Sequence, residues 1–168
     1  AAVPESAFPV VASHMSEIMI EPFPETDGGT LGQAALGYGR LDETIAGKTV
    51  VALGPGIGRH VETDDLVRDL VSRLTVPVVL DADGLNAFAE HRDELRGRDV
   101  PIVVTPHPGE MSRLTGRAIP DIVRNRLNAA RDYATDRGLW VVLKGFRTVV
   151  ACPDGRTFVN STGNAGMA

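Results

Sequence analysis

One histidine in this chain stands between two prolines. In Thr105-Pro106-His107-Pro108-Gly109-Glu110 the two rings restrict the backbone on either side of His107. The imidazole and a carboxylate three residues further on are therefore held in a preset relation. A histidine fixed this way can donate to a substrate oxygen or transfer a proton. Glu110 can orient a metal-bound water or cap the turn that follows. His14, His60 and His91 lack such a frame and read as surface residues.

Four other stretches carry residues suited to binding. Gly54-Pro55-Gly56-Ile57-Gly58 can bring backbone amides close to a phosphate, or it can be a tight turn between a strand and a helix. Its spacing does not fit the dinucleotide fingerprint GxGxxG. Asp81-Ala82-Asp83-Gly84-Leu85-Asn86 offers two carboxylates at i and i+2, a pattern that can hold Mg2+ together with a substrate phosphate. A helix cap accounts for one of these aspartates but not for both plus Asn86. Lys144-Gly145-Phe146-Arg147-Thr148 places a point charge beside a glycine, suited to a phosphate, although a lysine at a strand end also commonly reaches into water. The small, polar run from Asn160 through Asn164 to Ala168 can bind an anion through its amides or be a tail.

The elements that must position these loops follow from periodicity. Short apolar, β-branched runs predict strands over 49–53, 76–80, 100–104 and 139–143. Helical spacing predicts helices over 62–74, 85–91 and 121–137, the last with Ile122, Leu127, Ala130 and Ala134 turned inward. A hairpin is expected from 148–151 and 157–159 around Pro153-Asp154-Gly155. The first 30 residues are the least regular, with a short strand expected over 8–12 and a loop over 21–29, and a helix weakened by glycines is expected over 30–45. Trp140 is expected in the core and Cys152 reads as structural. Continuous apolar strands alternating with helices imply an α/β fold around a mostly parallel sheet with helices on both faces. Ligands of such sheets bind beyond the carboxyl ends of the strands, where the loops at 54, 81, 107 and 144 fall.

Composition narrows the function. The length of 168 residues suits one domain, and 43% hydrophobic residues suffice for a core. A net charge of −5 argues against nucleic acid or an anionic membrane as partner. One cysteine excludes an intramolecular disulfide and a Cys-rich zinc site, and is compatible with a reducing cytoplasm. No apolar run approaches a membrane span and no signal-peptide pattern stands at the N-terminus.

Taken in order, five motifs resemble the ADP-dependent NAD(P)H-hydrate dehydratase family of the ribokinase-like superfamily. They are Gly54 to Gly58, Asp81 to Asn86, Thr105 to Met111, Lys144-Gly145 with Thr148, and Asn160 to Ala168. The resemblance implies a ribokinase-like fold and the nucleotide-driven dehydration of the S epimer of NADH or NADPH hydrate. It implies ADP, or ATP, with Mg2+ as cofactors, a cytoplasmic location and a homo-oligomer in the full-length parent. In bacteria the domain is often fused to an N-terminal epimerase.

By matching positions, the resemblance assigns His107 and Gly56 or Gly58 to the hydrated nicotinamide nucleotide. Lys144, Gly145, Phe146, Arg147 and Thr148 would line the adenine nucleotide site. Glu110 occupies the place of a metal-associated acid. Asp81, Asp83 and Asn86 would line the site, and Asn164 would help form an anion-binding loop. The family pattern continues past Gly166-Met167-Ala168 to a Gly-Asp whose Asp is the expected acid/base. It also includes a strand and helix before Val3. The chain is therefore expected to be a partial domain, truncated at both ends and inactive alone.

Two other functions use the same loops. A ribokinase-like small-molecule hydroxyl kinase would phosphorylate a vitamin-precursor alcohol, and His107 between prolines is the feature that argues for a dehydratase instead. A non-catalytic nucleotide-binding module would hold ADP and NADPH without forming product.

Overall fold

The computed structural model describes residues 1–162. Six strands form the main sheet: β3 (Val51–Leu53), β4 (Val78–Leu80), β5 (Ile102–Val104), β6 (Trp140–Leu143), β7 (Val149–Ala151) and β8 (Thr157–Val159). They lie side by side in chain order. β3 through β6 pair in parallel, then β6–β7 and β7–β8 pair antiparallel. The register sets Leu53 beside Leu80, Leu80 beside Val104, and Val104 beside Val141. The carboxyl ends of the four parallel strands therefore share one edge. β1 (Ala2–Pro4) and β2 (Glu21–Phe23) make a separate two-stranded parallel sheet.

The helices follow the expected order with some changes. α3 (Val61–Arg73) buries Leu66, Val67, Leu70 and Val71, spaced as one helical face. α4 (Asp83–Asn86) is a single turn, shorter than its predicted span. The predicted helix over 121–137 is two helices, α6 (Ile119–Arg124) and α7 (Arg126–Arg137). They are separated at Asn125, whose φ of −133° and ψ of 53° leave helical space. Ile122, Ala130 and Ala134 are buried, but Leu127 is exposed. A helix that the periodicity missed, α5 (Pro108–Thr115), starts on the proline after His107.

The expected strand over 8–12 is instead α1 (Phe8–His14). Pro9 sits in its first turn, where a missing N–H costs nothing. The expected helix over 30–45 divides into a 3-10 stretch, Gln33–Gly39, and α2 (Arg40–Ile45). The hairpin β7–β8 forms as expected. Cys152 is buried and unpaired, while Trp140 is only half-buried.

One face of the main sheet is sealed from β4 to β7, while Val51 and Thr157 at its margins are half-buried and Val159 is exposed. Leu53, Val78, Leu80, Ile102, Val104, Val141, Leu143, Val149 and Ala151 are all buried on it. They join one core with Leu66, Leu85, Met111, Ile122 and Ala134. The opposite face carries Ala52, Val79, Val103, Trp140, Val142, Val150 and Phe158. Ala52 and Phe158 are exposed and the others are half-buried. Two close backbone contacts hold the connections. A Cβ on Gly54 would lie 1.9 Å from the Asp81 carbonyl oxygen, and one on Gly97 would lie 2.1 Å from the Gly138 carbonyl oxygen. Only glycine permits either approach.

Candidate functional site

The loops at the carboxyl edge are tied to one another by side chains. Asp81 directly follows β4, β5 leads through Thr105 and Pro106 to His107, and Lys144 directly follows β6. The Lys144 ammonium donates to Asp81 Oδ1 and lies 3.8 Å from Glu110 Oε2. One cation thus joins the ends of three parallel strands. The Lys144 N–H also donates to the Pro106 carbonyl at 2.8 Å, which fixes the start of its loop against the neighbouring one.

Asp81 is placed by its own surroundings. Burial disfavours its charge, but the Lys144 ammonium, the Thr105 hydroxyl and the Ala82 N–H outweigh burial and hold the carboxyl below its ordinary range. The Ala82 N–H donates to Asp81 Oδ1 at 2.8 Å. Ala82 itself has φ 49° and ψ −119°, a conformation that favours glycine. Sparsely populated backbone of this kind stores strain. The bend separates the two aspartates. Asp81 faces Lys144, whereas Asp83 Oδ2 accepts from the Gly58 N–H at 3.2 Å. The glycine turn is therefore anchored to the β4 loop, with Gly54, Gly56 and Gly58 all at positive φ.

His107 is the N-cap of α5. Its Nδ1 accepts from the Gly109 N–H at 2.9 Å and the Glu110 N–H at 3.4 Å. Glu110 Oε2 accepts in return from the His107 N–H at 2.7 Å, completing a capping box. The hydrogen-bond pattern assigns the ring proton of neutral His107 to Nε2, which lies 3.4 Å from Glu110 Oε1. The ring is half exposed, while Glu110 is 5% exposed. This arrangement fixes the orientation of a half-exposed imidazole.

The remaining predicted residues are more dispersed. Asn86 Oδ1 accepts from Arg113 Nη1 at 3.1 Å. It also borders a surface depression of about 360 Å³ with Arg59, His60, Asp64 and Arg68, which neither His107 nor Lys144 lines. In the loop after β6, Phe146 is 85% exposed and the Arg147 guanidinium lies 5.2 Å from its ring centroid. Arg147 has φ 53° and Gly145 has φ 137°, so this turn lies largely in left-handed space. Thr148 Oγ1 donates to the Gly145 carbonyl at 3.1 Å. Asn164 lies outside the described residues.

The acidic groups do not make a protein-only metal cage. Among the described residues no three His, Cys, Asp or Glu side chains gather to hold a metal ion. Asp81, Asp83 and Glu110 each accept a hydrogen bond from within the chain. Glu110, the acid that the motif associates with a metal, accepts from the His107 N–H and lies 3.8 Å from the Lys144 ammonium. The described donor set is compatible with Mg2+ carried on nucleotide phosphates, which needs few protein ligands.

Two residues at the site escaped the motif reading. Thr105 was part of the motif but carried no role, and it proves to be a hydroxyl that favours ionised Asp81. Arg126 stands alone in a helix pattern, yet its Nη2 donates to the Leu143 carbonyl at 2.8 Å and the Lys144 carbonyl at 3.2 Å. No spacing rule links residue 126 to residue 144, so nothing in the sequence pattern marks that contact.

The fold is a mostly parallel α/β sheet with glycine, acidic and cationic loops along its carboxyl edge. A ribokinase-like superfamily protein of Enterococcus faecalis shares this fold, with a TM-score of 0.75 at 21% identity over 98% of this chain. The family described as NAD(P)H-hydrate dehydratase matches residues 2–168. The chain belongs to that family. It is 46% identical over its whole length to a bifunctional NAD(P)H-hydrate repair enzyme of Moorella thermoacetica, of which it spans 31%. The structure of the ADP/ATP-dependent NAD(P)H-hydrate dehydratase of Bacillus subtilis, co-crystallised with ATP and Mg2+ and soaked with CoA, aligns with a TM-score of 0.69 at 26% identity. That alignment covers 96% of this chain and 53% of the other.

Proposed function

We propose that the protein carrying this chain dehydrates the S epimer of NADH or NADPH hydrate at the expense of ADP, restoring the reduced nicotinamide. The single observation behind this reading is the Lys144 ammonium, which draws together the ends of β4, β5 and β6 at the edge where the family motifs fall. In this reading residues 1–168 are part of one ribokinase-like domain.

The hydrated nicotinamide lies against His107 and the turn containing Gly56 and Gly58. His107 offers Nε2–H to a substrate oxygen, and its orientation is maintained by the cap with Glu110. The adenine nucleotide lies along Lys144, Gly145, Phe146, Arg147 and Thr148, with the Phe146 ring available for the base. Asp81, Asp83 and Asn86 line the site, and Asn164 contributes to the anion loop. Mg2+ bound to the nucleotide neutralises phosphate charge. The terminal phosphoryl group of ADP would pass to the substrate hydroxyl, leaving AMP, and would depart with that oxygen as inorganic phosphate while the neighbouring ring carbon gives up a proton and the C=C bond is restored.

The bifunctional relative supports a fused epimerase in the natural protein, and the single cysteine fits a cytoplasmic location. A homo-oligomer completes the proposal. The test is an assay of the natural protein with hydrated NADPH, ADP and Mg2+. Recovery of reduced-nicotinamide absorbance with stoichiometric release of phosphate is the expected result. Persistence of the S epimer in the presence of ADP and of ATP overturns the reading.

A further inference from the structure

Arg126 stands at the first position of α7 and reaches the carboxyl edge from behind the loop that follows β6. Its Nη2 binds both carbonyls where β6 ends, Leu143 and Lys144. Its Nη1 lies beside Gly145, 2.5 Å from where a Cβ would stand. A side chain at 145 would displace the guanidinium, so the glycine is the opening that admits it. Its Nε is buried and has no hydrogen-bond partner.

The charge on this group is uncompensated. Among the described residues no carboxylate pairs with Arg126, whereas Lys144 in front of the loop already binds Asp81. Burial alone lowers the Arg126 pKa, the signature of a cation without a counter-ion. The first turn of α7 carries no acidic residue, so the positive end of that helix adds to the same field.

We propose that Arg126 is a positioning residue for the nucleotide site: it holds the 144–148 loop in shape and supplies the net positive charge that a bound polyphosphate complements. This inference rests on the nucleotide reading of that loop. Arg98 provides an internal control. Its Nη1 donates to the Val71 and Leu74 carbonyls at 2.8 and 3.1 Å, a similar contact at the opposite edge of the sheet.

The experiment measures binding of ADP with Mg2+, and of NADPH, to the natural protein by calorimetry. Four proteins are compared: unsubstituted, Arg126→Met, Arg126→Lys and Arg98→Met. Arg126→Met should weaken ADP by about tenfold or more, since a charged donor is lost, and leave NADPH affinity unchanged. Arg126→Lys should recover part of that loss, because it keeps the charge without the planar fork. Arg98→Met should lower thermal stability while leaving ADP affinity unchanged. Unchanged ADP affinity in Arg126→Met, or an equal loss for ADP and NADPH in both Arg126 variants, overturns the proposal while the nucleotide reading stands. If the unsubstituted protein binds neither ADP nor ATP, the nucleotide reading fails and this inference falls with it.

Discussion

The two faces of the main sheet are made of the same kinds of residue and meet different surroundings. On one face Leu80, Val104, Val141 and Leu143 are fully enclosed. On the other, Val79, Val103, Trp140 and Val142 remain half-buried and Ala52 is exposed. An alternating sheet with one wet face would place polar residues there, and these strands do not. The chemistry is built along the carboxyl edge common to both faces, through contacts between loops. Its geometry therefore depends on the sealed face for support and on short polar contacts for detail. The chain also spans 31% of its bifunctional relative and 53% of the Bacillus subtilis structure.

Substitutions can break or sharpen this contrast. The largest effect is expected from Leu143→Ala. It leaves a cavity on the sealed face beneath Lys144 and should cost about 2–5 kcal/mol in urea unfolding. Next is Ala82→Gly at the shared edge, which relieves the unfavourable φ of 49° and should stabilise by about 1 kcal/mol. Val142→Ala on the open face should cost about 1 kcal/mol or less, because that side chain is not fully removed from water. A loss as large as that for Leu143→Ala would mean that the two faces are energetically equivalent, ending the contrast.

The smallest effect concerns acid. The folded Asp81 carboxyl is held below its ordinary value of 3.8, so its contribution is present above that value and fades as pH falls through the folded value. Lys144→Met removes the strongest of the groups that favour ionised Asp81. The acid limb of the stability curve should then begin at a higher pH. Denaturation midpoints measured across the acid range will show the displacement, and superimposable curves would rule out the pairing as a stabilising contact.

Much of this architecture could be read from the residues. Strands β3 to β6 and the hairpin were legible because Val and Ile runs bounded by Gly and Pro have few other solutions. The candidate loops were legible because glycines, prolines and charges cluster at the ends of those runs. Helix α1 was not, since Phe8-Pro9-Val10-Val11 has the residue types of a strand. Its proline is a helix starter only once the turn before it exists. Helix α5 was hidden by a cap that uses His107 in place of the usual Ser, Thr or Asp. The break at Asn125 interrupts a pattern whose apolar spacing continues through it, and Leu127 was misplaced as a result. The pairing of Lys144 with Asp81 joins residues 63 apart, a distance that no local period can report.

That pairing has a consequence for ionic strength. An anion arriving at Lys144 meets an ammonium that already has a carboxylate partner, so it exchanges one anion for another and few dissolved ions are redistributed. An anion drawn by a guanidinium without a counter-ion has to compete with dissolved salt over the screening length, about 8–10 Å near physiological ionic strength. Salt dependence at this edge would then be set by the group behind the loop rather than by the lysine in front of it.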